Sequence, residues 1–249
     1  MDITELNRQK STKRHPWEEA RVGIIKKLIK RHVQAPNHIV DIGGGDAFVI
    51  KNLCQNKIGN QFTAIDIAYT DALLKQINTG DCIINFLTQI PEKLDPKADC
   101  ILLMDVLEHC ADDGALLQKS KSLSTAETLY FITVPAFQGL FSEHDTLLHH
   151  HRRYSETELK NLCKRNGLVV MESGYFFSSL LLVRSIQLLL EKTGLRKPKK
   201  TIDNWNGGNR ITAAFNQVLQ TDYFVSRATS KLGIHLPGLS SYCVCHPLP

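Results

Sequence analysis

The feature that most constrains the fold is a short apolar run that ends in three consecutive glycines, within residues 38–51 (HIVDIGGGDAFVIK). The apolar residues before the glycines have the pattern of a buried strand, and Gly43, Gly44 and Gly45 can adopt backbone angles that a side chain forbids. Asp46 stands where a helix N-cap belongs, and the apolar residues after it recur at helical spacing. We therefore predict a strand, a tight turn and a helix, with a ligand within reach of the turn's amides.

The acid in this stretch restricts the ligand. In a pyrophosphate-binding turn the glycines face anionic phosphates, and a carboxylate at the end of the strand would repel them. Asp41 instead suits a cationic ligand. A glycine turn of this kind also occurs in other α/β proteins, so a nicotinamide-dependent reductase remains an alternative.

The stretch resembles motif I of the class I S-adenosylmethionine-dependent methyltransferases, in which an acid is followed by alternating glycines. Asp41, Gly43 and Gly45 match that pattern, and Ala47 stands at the position of the last glycine. The cofactor of that family carries an ammonium and a sulfonium, both attracted to a carboxylate. The resemblance implies S-adenosylmethionine as cofactor and an α/β, three-layer Rossmann-like fold. The expected seven-stranded, mostly parallel sheet has the order 3-2-1-4-5-7-6.

Length and composition fit one large domain. The chain has 249 residues, of which 43% are hydrophobic, so it can bury a full core. The net charge of +5 is concentrated in residues 10–31 and 196–200. Such patches indicate an anionic surface nearby, either a membrane or an acidic substrate, and a solvated basic face is the alternative. We expect no nucleic-acid partner, and the oligomeric state is left open.

The cysteines do not have the spacing of a disulfide framework. Those in the first two thirds of the chain are predicted to be small buried hydrophobes in a reducing cytosol: Cys54, Cys82, Cys100, Cys110 and Cys163. Cys243 and Cys245 alternate along a predicted strand and share one face; a metal-binding pair is the alternative. The first residues contain no apolar segment, which predicts a cytoplasmic protein without a signal peptide.

The chain divides into three predicted parts. Residues 1–36 form a basic amphipathic helix, with Pro16 at its first turn, that packs on the domain or touches lipid headgroups. Residues 37–176 and 236–249 form the methyltransferase-like core. Residues 177–235 form a helical insert between the sixth and seventh strands.

The second and third predicted strands supply contacts for a nucleoside. The second strand, residues 61–67, ends at Asp66, and a carboxylate in that position accepts hydrogen bonds from ribose hydroxyls. The third strand is predicted over residues 82–86. Asn85 and Phe86 are candidates for holding adenine, and a core position for Phe86 is the alternative.

The fourth predicted strand, residues 98–106, is buried on both faces and ends at polar residues. In the family this end lies beside the reactive methyl group, so Met104 and Asp105 are predicted cofactor contacts. Asp105, Glu108 and His109 also match the spacing by which some O-methyltransferases hold a divalent metal. We adopt the alternative, in which the two acids cap the next helix and His109 packs, and predict no metal ligand.

The segment after the fifth strand, residues 135–154, is predicted to be a loop with little secondary structure, and it is rich in histidine and arginine. It resembles a loop of one methyltransferase subfamily, His-Asp followed by His-x-Arg-Arg-Tyr. We predict that His144 is the general base and that Asp145 orients it or the loop. Arg152 and Arg153 are expected to bind an anionic group of the substrate. The alternative is structural, with Arg153 paired to an acid that closes the loop.

The insert begins with a very apolar segment, residues 176–190, that Arg184 and Gln187 interrupt. It is too short to span a membrane and is predicted to be a lid over a bulky or lipid-like acceptor, or a helix lying on a membrane. We predict methyl transfer to an oxygen of a small or lipid-linked acceptor. The alternatives are the reductase and a non-catalytic module that binds S-adenosylmethionine.

Overall fold

The computed structural model describes residues 14–195, 205 and 207–248. The predicted basic segment at residues 196–200 lies outside this part of the chain, as does the portion of the N-terminal basic patch before Arg14.

A seven-stranded sheet forms the centre of the molecule. Its strands are β1 (His38–Ile42), β2 (Gln61–Ile65), β3 (Asn85–Leu87), β4 (Cys100–Met104), β5 (Leu129–Pro135), β6 (Leu168–Phe176) and β7 (Ser240–Pro247). They lie in the order β3-β2-β1-β4-β5-β7-β6, and only β7 runs antiparallel to its neighbours. The predicted strand order and fold class are confirmed.

Helices cover both faces of the sheet. They are α1 (Pro16–His32), α2 (Phe48–Gln55), α3 (Asp71–Leu74), α4 (Asp113–Ser120), α5 (Glu143–Leu147), α6 (Glu156–Arg165), α7 (Ser178–Lys192) and α8 (Asn209–Ser230). One core cluster joins the sheet to α1, α2 and α8, and a second joins its other face to α4 and α6. Every residue of β1 and β4 is buried, as expected for central parallel strands covered on both sides.

Helix α1 packs on the domain along its apolar stripe. Ile24, Ile25, Leu28 and Ile29 are fully buried in the core cluster. Acids stand in its first turn and bases in its last turn, which complements the helix dipole. Part of its positive charge is neutralised within the fold, because Arg31 forms an ion pair with Glu172 at 2.6 Å.

Helices α7 and α8 form the insert before β7. Helix α8 lies on α1 and β6 and buries Leu219 and Tyr223. Helix α7 keeps one apolar stripe in solvent, where Leu182 and Leu189 are 68% and 63% exposed. Within the described part of the chain, none of the helices has both the length and the apolarity that crossing a bilayer requires. The boundaries of the three predicted parts stay a prediction.

Several local predictions were wrong. Asp46 does not cap α2, because Ala47 occupies the N-cap position in a left-handed conformation. Asp46 accepts a long bond from the Phe48 amide, at 3.4 Å, and forms an ion pair with Arg14. The third strand starts at Asn85 rather than at residue 82. The segment after β5 is more ordered than predicted, since it contains α5 and a 3-10 turn over Gln138–Leu140.

One cysteine prediction was also wrong. Cys54 at the end of α2 and Cys82 in the loop before β3 form a disulfide, with their Cα atoms 6.1 Å apart. The predicted third strand would have carried Cys82 into the sheet, whereas the observed loop folds back against α2. Cys243 and Cys245 do share one buried face of β7, and both pack in the second core cluster.

A close backbone approach joins β6 to the start of β7. A Cβ atom at Gly238 would lie 2.2 Å from the carbonyl oxygen of Phe176. We therefore expect Gly238→Ala to lower the free energy of unfolding by about 1–3 kcal/mol, because backbone must move to admit the methyl group. Urea denaturation measures this change. The matched control is Gly139→Ala, which meets nothing within 4 Å; equal stability losses in the two variants would contradict the prediction.

Candidate cofactor and methyl-transfer site

The glycine turn is bonded to the end of β2. The amides of Gly43 and Gly44 both donate to the carbonyl oxygen of Ile65, at 2.7 and 3.2 Å, and the Gly45 amide donates to Asp66 Oδ2 at 3.0 Å. All three amides therefore have partners within the chain, and contact between the glycine turn and a ligand stays a prediction. A turn bonded in this way does not offer the row of amides that cradles a pyrophosphate.

Glycine is required at Gly43 for two reasons. Its φ is +73°, a left-handed conformation that other residues rarely adopt, and a Cβ there would lie 2.4 Å from Val106 Cγ2. Val106 follows β4, so the turn is held between the carboxyl ends of β2 and β4. Ligands of open parallel sheets bind at this edge, near the reversal of strand order.

Asp66 lies where the sequence predicted it, directly after β2 and beside the glycine turn. Its Oδ2 accepts the Gly45 amide at 3.0 Å, and its Oδ1 accepts the Ala68 amide at 2.9 Å. Each carboxylate oxygen has a second lone pair, so both can still accept a hydroxyl. The backbone bonds fix the orientation of a carboxylate that fits vicinal ribose hydroxyls.

Asp41 is buried in β1, with 1% of its surface exposed, and its Oδ1 has no hydrogen-bond partner among the described residues. Burial raises the pKa of Asp41 to about 7, and the negative charge of Asp66 adds to the rise. The positive charge of Arg21 acts in the opposite direction. A cationic ligand beside this carboxyl group would favour its ionised form.

Arg21, a residue of α1, is a further functional candidate. Its side chain is buried, forms an ion pair with Asp105 and lies over the ring of Trp17, with the guanidinium carbon 4.9 Å from the ring centroid. Its charge also lowers the pKa values of Asp41 and Glu108. No sequence signal marks it, because it occupies one position in a helix that contains many bases.

The charges at this edge favour a cation. Asp41, Asp105 and Glu108 supply three acidic side chains in the field of the Arg21 guanidinium, and Asp66 supplies a fourth beside the glycine turn. Asp105 has a φ of +53° and its Oδ1 accepts the hydroxyl of Thr133 at 2.8 Å. This excess of carboxylates fits the ammonium and sulfonium of S-adenosylmethionine and opposes the phosphates of a dinucleotide.

Aromatic side chains lie beside the predicted ribose and adenine contacts. Phe86 and Tyr69 meet edge to face with ring centroids 5.2 Å apart. The Tyr69 hydroxyl is buried, close to Gly44, and lacks a hydrogen-bond partner in the described structure. Burial raises the pKa of Tyr69, and the charges of Asp41 and Asp66 raise it further. The sequence did not indicate a role for Tyr69, which lies three residues after Asp66.

Two other residues near the predicted nucleoside contacts, Ile67 and Met104, differ in their exposure to solvent. Ile67, directly after Asp66, is 92% exposed, which is unusual for a large aliphatic side chain and suits contact with a planar base. Met104, predicted as a cofactor contact, is 4% exposed and packs in the core cluster at the end of β4.

Asp145 is the centre of the histidine-rich segment and is fully buried. Its Oδ1 accepts from Arg153 Nε at 2.8 Å and lies 3.0 Å from His150 Nδ1, while its Oδ2 accepts the Ser142 amide at 2.9 Å. Burial alone would raise the pKa of Asp145, but the bonds from His150 and Arg153 hold it well below its usual range. The carboxylate closes the loop between α5 and α6.

The two arginines have partners inside the fold. Arg153 is held by Asp145 and the Ala136 carbonyl, and Arg152 bonds Asp113 at 3.1 Å and the Ala111 carbonyl at 2.6 Å. This geometry corresponds to the structural alternative for Arg153. His144 in α5 is half-buried, and burial lowers its pKa, so the ring is neutral at pH 7.

The Asp145 network generates a stability prediction. Because the folded-state pKa is depressed, its contribution is present above the unfolded value of about 4 and is lost as the pH falls below it. We expect Asp145→Asn to lower the free energy of unfolding by about 2–3 kcal/mol at pH 7, with a smaller difference from wild type in acid. Urea denaturation across this pH range tests it. Glu143→Gln, an exposed acid of the same helix, is the control; an equal effect there would refute the assignment.

Comparison with known proteins places the chain in a family. Residues 17–173, more than half of the chain, match the family described as "Methyltransferase domain". No curated protein sequence matches the chain. The reductase alternative is therefore overturned, in agreement with the carboxylates and the bonded glycine amides.

Solved structures share the fold over nearly the whole chain. A SAM-dependent methyltransferase from Archaeoglobus fulgidus is 14% identical with a TM-score of 0.51, and the match covers 92% of this chain and 96% of that one. Haemonchus contortus phosphoethanolamine N-methyltransferase 2, in complex with S-adenosylmethionine, is 13% identical with a TM-score of 0.56, covering 94% and 53%.

The plantazolicin methyltransferase BpumL, in complex with S-adenosylhomocysteine and a triazolic desmethyl analogue, is 14% identical with a TM-score of 0.56, covering 99% of this chain and 90% of that one. At these identities the likeness shows the fold, while the family match shows a methyltransferase domain. The chain belongs to the methyltransferase-domain family, as a class I methyltransferase whose cofactor is S-adenosylmethionine.

Proposed function

We propose that this protein transfers a methyl group to an oxygen atom of a small or lipid-linked acceptor. The observation that carries this proposal is a neutral, half-buried His144 on a segment that follows β5, a strand next to β4 in the sheet. S-adenosylmethionine, when bound, supplies an electrophilic methyl group. A hydroxyl acceptor must lose its proton during transfer, and a neutral imidazole can accept it.

The residues that would hold the cofactor lie on or after strands β1 to β4 and on helix α1. Asp41 on β1 and the turn of Gly43, Gly44 and Gly45 face its amino-acid portion, and Asp66 faces the ribose. Phe86, Met104 and Asp105 complete the proposed contacts, to which we add Tyr69 and Arg21. Their shared task is to fix the position of the cofactor, because an in-line displacement depends mainly on alignment.

The proposed acceptor pocket lies between the histidine-rich segment and the insert. Arg184 of α7 donates to Ser142 Oγ at 2.8 Å and so joins the insert to α5. In this proposal Asp145 and Arg153 are positioning residues that hold the segment carrying His144, and the structural roles of Arg152 and Arg153 replace the expected binding of an anionic group.

The insert supports a lipid-linked acceptor and peripheral contact with a membrane. The exposed stripe of α7 comprises Leu182, Val183, Ile186 and Leu189. Amphipathic helices of this type bury such a face among acyl chains or under a bulky apolar ligand. The sequence following α7 is rich in lysine and arginine, as expected next to anionic headgroups.

A charge-neutral variant tests the cofactor site. We expect Asp41→Asn to weaken S-adenosylmethionine binding by about tenfold, which corresponds to about 1.4 kcal/mol. S-Adenosylhomocysteine keeps the ammonium that Asp41 would face, so its affinity should also fall. Since the pKa of Asp41 is about 7, wild-type affinity for S-adenosylmethionine should rise as the pH passes through that value, and the variant should show no such rise. Calorimetric titration measures both ligands.

A stability measurement separates weakened binding from unfolding. The raised pKa means that ionisation of Asp41 destabilises the unliganded fold as the pH rises through about 7. Asp41→Asn should therefore be at least as stable as wild type at alkaline pH. Unchanged affinity for both ligands, in a folded variant, would rule out the electrostatic role of Asp41.

The base is tested by His144→Gln. Turnover should fall by on the order of 10² without loss of cofactor affinity, because proton removal is impaired while the cofactor contacts are intact. Turnover is measured as S-adenosylhomocysteine release with hydroxyl-bearing small and lipid acceptors. His151→Gln, whose side chain is exposed in the same segment, is the control. Turnover that His144→Gln leaves unchanged contradicts the assignment, and an absence of turnover with every acceptor favours the non-catalytic alternative.

A further inference from the structure

A second group of chemically active side chains lies beside the proposed cofactor site. Glu108 and His109 belong to a 3-10 turn, Leu107–His109, that follows β4, and His150 belongs to the segment after β5. Each side chain offers one potential ligand atom, and these three atoms all lie within 4.8 Å of one another. The two imidazole rings meet edge to face with centroids 4.6 Å apart. Two separate parts of the chain therefore converge on one point.

Glu108 is fully buried, although its carboxyl group has no hydrogen-bond partner among the described residues that would offset the cost of burial. Its exposed fraction is 0%, and neither Oε1 nor Oε2 has a partner among the described residues. The charges of Arg21 and Arg153 act on it from a distance, but neither donates a hydrogen bond to it. A buried carboxyl group without partners is costly, and coordination of a cation is one of the ways in which proteins offset that cost.

His150 is oriented so that one nitrogen remains available as a ligand. Its Nδ1 is 3.0 Å from Asp145 Oδ1 and is turned to that carboxylate, so Nε2 is the ring nitrogen left for a metal ion. Asp145 is itself fixed by Arg153 and by the Ser142 amide. A carboxylate that holds the far nitrogen of a histidine is the usual second contact of a metal-bound imidazole.

Backbone bonds hold the two parts of the cluster together. The His151 amide donates to the Glu108 carbonyl at 2.7 Å, which places His150 directly beside the turn. The Tyr154 hydroxyl donates to the Leu107 carbonyl at 3.2 Å and to Asp113 Oδ2 at 2.8 Å. The ligand atoms therefore stand on a rigid support, as a metal site requires.

From this juxtaposition we propose that Glu108, His109 and His150 form a binding site for a divalent first-row transition-metal ion. Two imidazole nitrogens and one carboxylate oxygen suit zinc, iron, cobalt or nickel, whereas magnesium and calcium prefer ligand sets made of oxygen. The set differs from the spacing considered in the sequence. Asp105 is bonded to Thr133 and paired with Arg21, and His150, forty-one residues after His109, takes its place.

Three protein ligands leave at least one coordination position open. If the proposed oxygen transfer is correct, that position receives an oxygen of the acceptor, next to the glycine turn that Val106 contacts. Metal binding itself does not depend on this role.

Metal binding is tested on the full-length chain after removal of bound metal with a chelator. Cobalt(II) serves as the probe, because its visible absorption reports ligand number and geometry, and zinc is then added in competition. We expect one cobalt ion per chain, with a spectrum that zinc abolishes. His109→Gln and His150→Gln should each weaken binding by at least about tenfold. His151→Gln is the matched control, because it removes an exposed ring from the same segment and keeps the backbone bond to Glu108.

Two results would overturn the site: a wild-type protein that binds no cobalt, or binding that persists unchanged in both His109→Gln and His150→Gln. Thermal unfolding of each variant verifies that it is folded, and Glu108→Gln provides an isosteric third variant that should bind at least about tenfold more weakly. Binding of S-adenosylhomocysteine is measured on the same samples. A protein that binds this nucleoside but no metal refutes the metal site and leaves the methyltransferase function intact.

Discussion

The structure is organised around carboxyl groups at the edge where the central strands end, two of which, on Asp41 and Glu108, are buried. Asp41 lies within β1, Asp66 follows β2, and Asp105 and Glu108 follow β4, so parallel strand order alone brings four acids to one edge. Burial raises the pKa values of Asp41 and Glu108, to about 7 and about 8. Such a concentration of acids is unfavourable without positive charge, and Arg21 supplies one guanidinium from the N-terminal helix. In the proposed function, the remaining carboxyl groups favour a cationic cofactor at this edge.

One face of the N-terminal helix therefore has two roles. Its apolar residues complete the core cluster over the sheet, and Arg21 reaches from the same helix to the acids at the strand ends. Helix α8 packs on α1 in turn, with Gln220 donating to the Ala20 carbonyl at 2.8 Å. The insert is thus linked to the cofactor edge through α1 as well as through the bond between Arg184 and Ser142. A ligand under the insert and a ligand at the glycine turn would therefore both lie against elements that pack on α1.

In the segment after β5, one ionised carboxylate, that of Asp145, holds several basic side chains. Asp145 is paired with Arg153 and His150, and its other oxygen caps the start of α5 through the Ser142 amide. This explains why a stretch with so many bases can be ordered against a buried turn. It also means that the roles of its residues differ: His144 is half-buried and neutral, whereas Arg153 and His150 are committed to Asp145.

The sequence by itself determined the architecture and the class of cofactor. The resemblance to class I methyltransferases implied the strand order, which the structure confirms. The position of Asp66 beside the glycines and the capping box of α6 at Ser155 and Glu158 were predictable from local patterns and from the rule that parallel strands end at one edge. The same patterns favoured a cation at Asp41. They are properties of short segments, and they do not depend on which distant residues meet.

Only the tertiary structure decided the partners. The glycine amides are bonded to Ile65 and Asp66, Arg21 is buried among acids, Cys54 meets Cys82, and His150 rather than Asp105 joins Glu108 and His109. Each of these contacts joins residues on different elements, and a one-dimensional pattern contains no information about how closely two elements approach. Side-chain identity limits which contacts are favourable, but packing selects among them.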